Sequence, residues 1–251
     1  MAKNYRIIDL SQPFGVNTPI WPWPTMNDVE IKRVAFHERD QKTTSVITTK
    51  MHASTHTDAP YHALNDGKTI DQMPLDSFYG TGVVISIPTK KWEVITPKHL
   101  EGAKPKIQKG DIVIINSGWH KKFRVSNYEY FNHFGGLYRE AALWCVEKGV
   151  KAVGVDQGAM DHPLAHYPLS RFAPWLDAEY RKETGHDPDI EFPEYEPFHK
   201  ICLGNDIAVY ENLGGDIDKV TGMRVTIAGF PIRWEGGDGS LVRVVAIVED
   251  E

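Results

Sequence analysis

From His52 to His62 the chain reads His-Ala-Ser-Thr-His-Thr-Asp-Ala-Pro-Tyr-His, which puts three imidazoles and one carboxylate within eleven residues. All four occupy even positions. In an extended backbone alternate side chains share a face, so His52, His56, Asp58 and His62 point to one side. A helix would also bring His52 beside His56, but Pro60 pushes Ala59 out of the α region, and Thr55 and Thr57 are β-branched. The stretch is therefore expected to be extended or looped. Imidazole plus carboxylate suits Zn, Mn, Fe or Co, and no thiolate stands nearby to favour a structural zinc. Such an ion lowers the pKa of bound water and polarises a carbonyl, and a His not used as a ligand can carry the proton to a leaving nitrogen. His62 suits that second task. Spacing alone fits the reverse assignment too, with His62 as ligand and His52 as base.

Other residues offer weaker chemistry. Asp161, His162 and His166 form a second group with the two His four apart, but Pro163 weakens their helical pairing, and lining a pocket is their expected role. Cys145 and Cys202 lie in apolar stretches and read as buried, reduced thiols. Thr18–Pro24 carries three prolines and two tryptophans, which excludes regular structure. Large rings on a stiffened loop suit a pocket wall, and Trp21, Trp23, Phe36 and Tyr61 are the aromatic wall candidates, for a substrate with a flat or apolar body.

The elements that must position these groups are strand-rich. Strands are expected at Arg6–Leu10, Val29–Phe36, Thr43–Thr49, Val83–Ile87, Ile112–Asn116, Val150–Val155, Ile207–Tyr210, Met223–Phe230 and Ser240–Val248. Helices are expected from Thr96, over Tyr138–Lys148 before Gly149, and within Arg171–Glu183 before Gly185. Gly185–Pro197 reads as an inserted loop. With 251 residues, 41% hydrophobic and 25% charged, the chain fits one mixed α/β domain over residues 1–251. A net charge of −6 without a basic patch argues against nucleic acid as a partner. No apolar run reaches membrane-spanning length and the N-terminus lacks the apolar core of a signal peptide, so a cytoplasmic protein with no membrane partner is expected.

The His stretch resembles the HxGTHxDxPxH signature of the cyclase-like metal-dependent hydrolases, a family that includes bacterial kynurenine formamidase and isatin hydrolase. Thr55-His56, Asp58, Pro60 and His62 match, His52 precedes them, and Ser54 stands where the family has Gly. Asp9-Leu10-Ser11, Pro19-Ile20-Trp21-Pro22, Gly110-Asp111-Ile112-Val113, Gly154-Val155-Asp156 with Asp161, and His199 with Glu211-Asn212-Leu213 are similar to further family segments. Residues 163–197 match least and are closer to the isatin-hydrolase type. The resemblance implies a single-domain α/β/β fold, strand-rich with few helices. It implies His52, His56 and Asp58 as ligands of a first Zn or Mn, with Asp58 bridging. His199 and Glu211 would complete a second site, so one or two ions are expected, and His62 would be the acid/base. It also implies a homodimer or homotetramer whose site is completed by N-terminal aromatics, here Trp21 and Trp23. The expected reaction is hydrolysis of a C–N bond in a small formamide, amide, imide or lactam. Isatin-like ring opening with one Mn, lactone hydrolysis, a cyclase or dehydratase, and a metal- or ligand-binding module without catalysis are the alternatives.

Overall fold

The computed structural model describes residues 4–22 and 29–249. In chain order the elements are β1 (Tyr5–Asp9), β2 (Glu30–Ala35), α1 (His37–Asp40), β3 (Thr44–Thr48), β4 (His56–Asp58), α2 (Pro60–Ala63), β5 (Tyr79–Ser86) and β6 (Val94–Ile95). Next come α3 (Pro97–Gly102), β7 (Ile112–Asn116), α4 (Asn127–Asn132), β8 (Gly136–Leu137), α5 (Arg139–Lys148), β9 (Ala152–Val155) and α6 (Leu169–Phe172). The chain continues through α7 (Pro174–Thr184), α8 (Pro188–Glu191), α9 (Pro197–Gly204), β10 (Ala208–Glu211), β11 (Met223–Ala228), β12 (Gly239–Leu241) and β13 (Val245–Glu249).

Nine strands form one sheet in the order β1-β13-β11-β5-β7-β9-β10-β4-β12. Its centre, β5-β7-β9-β10, is parallel, and both flanks are antiparallel. Burial on both faces explains why the central strands read as continuous apolar runs. Val113 and Ile115 of β7 face a layer built from α3, α5 and α9, through Leu100, Ala142, Cys145 and Phe198. Ile112 and Ile114 face the other way, against Leu10, Phe78, Tyr210 and Ile227. Helix α5 stops where Gly149 takes a left-handed φ of 69°, which a residue without Cβ adopts at little cost. Cys145 and Cys202 are free and buried, and no helix among the described residues is long and apolar enough to cross a membrane.

Three local expectations need correcting. Ser240–Val248 is two strands: the chain leaves β12 at Val242, whose N–H bonds the Thr55 carbonyl, and rejoins the sheet on its opposite edge as part of the β1-β13 pair. Gly185–Pro197 contains a helical turn, α8, capped by the Asp187 side chain accepting from the Asp189 N–H. That segment and α6–α7 bury their own small core, around Leu169, Leu176, Tyr180 and Phe192. The His stretch is not one extended run: His52 lies in a turn, His56–Asp58 form β4, and His62 sits on the single turn of α2.

Candidate metal centre

Strand β4 is inserted between two antiparallel neighbours, with His56 opposite Glu211 of β10 and Asp58 opposite Gly239 of β12. Backbone register therefore places one imidazole against one carboxylate before any side chain chooses a rotamer. The chain approaches β4 through Ser54, which is 2% exposed and has a φ of 55°. That left-handed turn lets the Ser54 carbonyl receive His56 Nδ1 at 2.8 Å and sends His52 back over the strand. Room for the His52 ring exists only because residue 239 is glycine: a Cβ there would sit 2.8 Å from His52 Cε1. Helix α9 brings His199, and the end of β10 brings Glu211, both 4% exposed.

Each of three imidazoles has one nitrogen held from outside. His52 Nε2 is 3.0 Å from Asp238 Oδ2, His56 Nδ1 meets the Ser54 carbonyl, and His199 Nδ1 is 2.7 Å from Asp161 Oδ2. Their other nitrogens converge on two carboxylates. His52 Nδ1 lies 2.7 Å from Asp58, His56 Nε2 3.3 Å from Asp58 and 3.4 Å from Glu211, and His199 Nε2 3.1 Å from Asp58 and 2.9 Å from Glu211. Carbonyl and carboxylate oxygens only accept, so a neutral ring that donates outward turns a lone pair inward. Lone pairs then face ionised oxygens in a dry pocket, an arrangement that positive charge must complete. Burial pulls both His52 and His56 down, but the charge and hydrogen bonds of Asp58 and its neighbours outweigh it and raise them to about 9 and about 10. Burial likewise raises Asp58 and Glu211, yet the imidazoles hold both below the usual carboxylate range.

The donor set fits a divalent cation. Ligand atoms of His52, His56 and Asp58 lie within 4.8 Å of one another, as do those of Asp58, His199 and Glu211, so Asp58 is common to both groups. Second-neighbour carboxylates on two of the rings are the usual support of metal-ligating imidazoles.

His62 stands apart from both Asp58 groups and falls instead with His52 and Asp238. Its ring leans on His52, centroids 4.1 Å apart, and is 6.1 Å from His199. Although it opens to the cavity, the surrounding protein excludes enough water to lower its pKa, and His52 lowers it further against the pull of Asp58.

These groups line a cavity of about 260 Å³ whose wall also includes Trp21, Lys50, Ala159, His166, Tyr195, Glu196 and Lys200. Trp21 thus stands where a pocket wall was expected, 5.7 Å from the His166 ring. Trp23 lies outside the described residues. Tyr61 and Phe36 are 48% and 42% exposed and are not part of the lining, because α2 and the β2–β3 ribbon carry them to the surface. Asp161, His162 and His166 diverge: Asp161 turns to His199, His162 stacks on Phe192 with centroids 4.2 Å apart, and His166 turns to Glu196. Sequence reasoning missed Lys50, Tyr195, Glu196, Lys200 and Asp238. Only Glu196 carried a usable signal, since Pro197 after it marks a helix start.

Comparison with known proteins gives the same picture at larger scale. The kynurenine formamidase of Bacillus cereus is 28% identical over 175 residues, 66% of this chain and 78% of that protein. That of Erythrobacter litoralis is 25% identical over 240 residues, 96% of this chain and 93% of that protein. In fold the chain is similar to isatin hydrolase A from Ralstonia solanacearum, with a TM-score of 0.77 at 21% identity, covering 98% of this chain and 92% of that one. An isatin hydrolase bound to the product analogue thioisatinate gives a TM-score of 0.78 at 20% identity, covering 98% and 93%. The Cyclase family model matches residues 8–162, more than half of the sequence, and the chain belongs to that family.

Proposed function

We propose that the chain is a metal-dependent hydrolase that cleaves a C–N bond of a small amide, formamide, imide or lactam. The observation that carries this reading is the ring of three imidazoles around Asp58 and Glu211, each pinned from outside and presenting a nitrogen inward. The similar proteins are named for a formamidase and an isatin hydrolase, and a formamide and the ring amide of isatin share a nitrogen on a carbonyl carbon.

His52, His56 and Asp58 would hold one Zn or Mn, and Asp58, His199 and Glu211 a second. When bound, such an ion supplies a Lewis acid that acidifies water and withdraws charge from a carbonyl. The chain's own residues do the rest. Asp161, Asp238 and the Ser54 carbonyl fix the ring orientations. Trp21 helps exclude water and offers a flat apolar wall. His62, stacked beside the cluster and open to the cavity, takes a proton and returns it to the leaving nitrogen. A homodimer or homotetramer is the proposed functional unit, since a two-stranded ribbon such as β2–β3 is marginal alone and here leaves Ile31 and Ile47 41% and 53% exposed. The free thiols Cys145 and Cys202 support a reducing, cytoplasmic setting.

Metal analysis of wild type and His62→Ala, with turnover of formanilide, isatin, a cyclic imide and a lactone, tests the reading. About two equivalents in both proteins, with a rate loss of about a hundredfold or more in His62→Ala, is the expected outcome. Metal lost together with rate would reassign His62 as a ligand. Absence of turnover on the whole series would count against hydrolysis.

A further inference from the structure

Part of the cavity wall comes from the join between α8 and α9, where Tyr195 and Glu196 precede His199. Glu196 occupies the position before α9 with φ 44° and ψ 55°, a left-handed conformation that disfavours a residue with a Cβ. Its backbone is pinned there by its N–H donating to the Ala165 carbonyl at 2.9 Å. One carboxylate oxygen is 3.3 Å from His166 Nε2, while Nδ1 of the same ring is 3.1 Å from the Pro163 carbonyl. Both partners accept, so the ring donates to one of them in either tautomer; burial alone would raise the Glu196 carboxyl, but the contact with His166 holds it below the usual carboxylate range. Burial, and then the charge of the adjacent Glu196, push the Tyr195 hydroxyl up.

The result is an ionised acceptor, 20% exposed in its side chain, on the wall of a small cavity. A carboxylate has room for about four hydrogen bonds, more than the His166 contact uses. A cavity of about 260 Å³ forces a molecule that fills it to touch several walls at once. An N–H set against this oxygen gains a charge-assisted hydrogen bond, whereas an N-methyl group or an ester oxygen leaves the carboxylate desolvated and facing nothing it can accept from.

We infer that Glu196 is a specificity-determining residue whose carboxylate accepts the N–H of the substrate amide, so that the site selects secondary amides, lactams and imides over N-alkylated amides and lactones of the same shape. This rests on the hydrolase reading above.

The test uses matched pairs with the full-length, metal-loaded protein, comparing wild type, Glu196→Gln and Glu196→Asp. For formanilide and N-methylformanilide, wild-type kcat/KM should favour the N–H compound, and that preference should fall at least fivefold in Glu196→Gln, since intrinsic reactivity cancels in the ratio of ratios. Oxindole and N-methyloxindole supply a readout independent of turnover: calorimetric Kd should favour oxindole at least tenfold in wild type and narrow in Glu196→Gln. Glu196→Asp keeps the charge but retracts it, falls between the two, and covers a Glu196→Gln protein that fails to fold. Metal content equal to wild type in the variants excludes damage to the centre. Preferences unchanged in the variants, for both pairs, would overturn the assignment. A retained oxindole preference with no turnover of either formanilide would count against hydrolysis while leaving Glu196 in its role.

Discussion

Asp161 and Asp238 do the same job in different surroundings. Asp161 is 1% exposed and also accepts the backbone N–H groups of Phe198 and His199, at 2.8 and 3.0 Å. Asp238 is 44% exposed in its side chain and holds His52 Nε2. Loss of such a supporting carboxylate typically costs about 10–100-fold in metal affinity. Asp161→Asn is expected at the upper end of that range and Asp238→Asn at the lower end, measured by competition with a chelator of known affinity. Equal losses would mean that water supports His52 as well as protein supports His199. Ser54 carries the family departure and a left-handed φ, so Ser54→Gly should hold or raise stability by about 0.5–1 kcal/mol, while Ser54→Val should lower it by about 1–2 kcal/mol or more. Chemical denaturation decides, and a Gly variant much weaker than wild type would show that the Ser54 hydroxyl matters more than its backbone. His162 gives a pH dependence away from the metal ligands. Burial lowers it to about 4 from an ordinary value near 6.5. The unfolded chain therefore binds the proton first, so the stabilisation from a neutral ring is full above about pH 6.5 and is lost as pH falls toward 4. At pH 5 this amounts to about 2 kcal/mol. The stability gap between wild type and His162→Gln should shrink by about that much from pH 7.5 to pH 5, and a constant gap would refute the buried neutral ring.

At the scale of elements, α6–α8 form an annex with a core of their own, packed on Trp92, Val94 and Tyr138 beside the β6–β8 pair. Leu176 is 1% exposed there, and Leu176→Ala should cost about 2–4 kcal/mol. Hydrogen exchange should then accelerate in α6–α8 more than in β5, β7 and β9, with metal content unchanged; uniform acceleration would mean the annex and sheet unfold as one unit. What the sequence showed of these elements follows the physics of each. Strands β5, β7 and β9 were legible because burial on two faces writes an apolar run that no neighbour has to explain. The convergence of His52, His56, Asp58 and His62 was legible as a result but not as a mechanism, since even spacing suggested one strand where a left-handed turn, three paired residues and a helical turn do the work. His199 and Glu211 were reachable only through family likeness: α9 and β10 meet β4 through tertiary pairing, which leaves no local mark. Asp238 had even less, since it sits in a glycine-rich turn, and Glu196 had only the Pro197 that follows it, which marks a helix start and not a cavity wall.

For the whole molecule, the exposed apolar pair Ile31 and Ile47 lies directly across β2 and β3. If a second copy covers it, sedimentation should give a dimer or tetramer of the 28.4 kDa chain, and Ile47→Glu should move the mass toward one copy. An assembly indifferent to Ile47→Glu would place the contact elsewhere, and a monomeric wild type would remove the proposed functional unit. The pairing of β4 between β10 and β12 has a further consequence, for biosynthesis. On the ribosome the His stretch emerges with the first quarter of the chain, yet its two hydrogen-bonding neighbours belong to the last. Until β12 has left the exit tunnel, the strand that carries the ligands has an open edge and no fixed register. From His62 until Gly239–Leu241 is made, the three imidazoles and the carboxylate therefore stay unassembled, and local contacts can do little to shorten that wait. Ribosome-stalled chains ending before residue 239 should stay protease-sensitive across residues 50–64, and chains released past residue 249 should not.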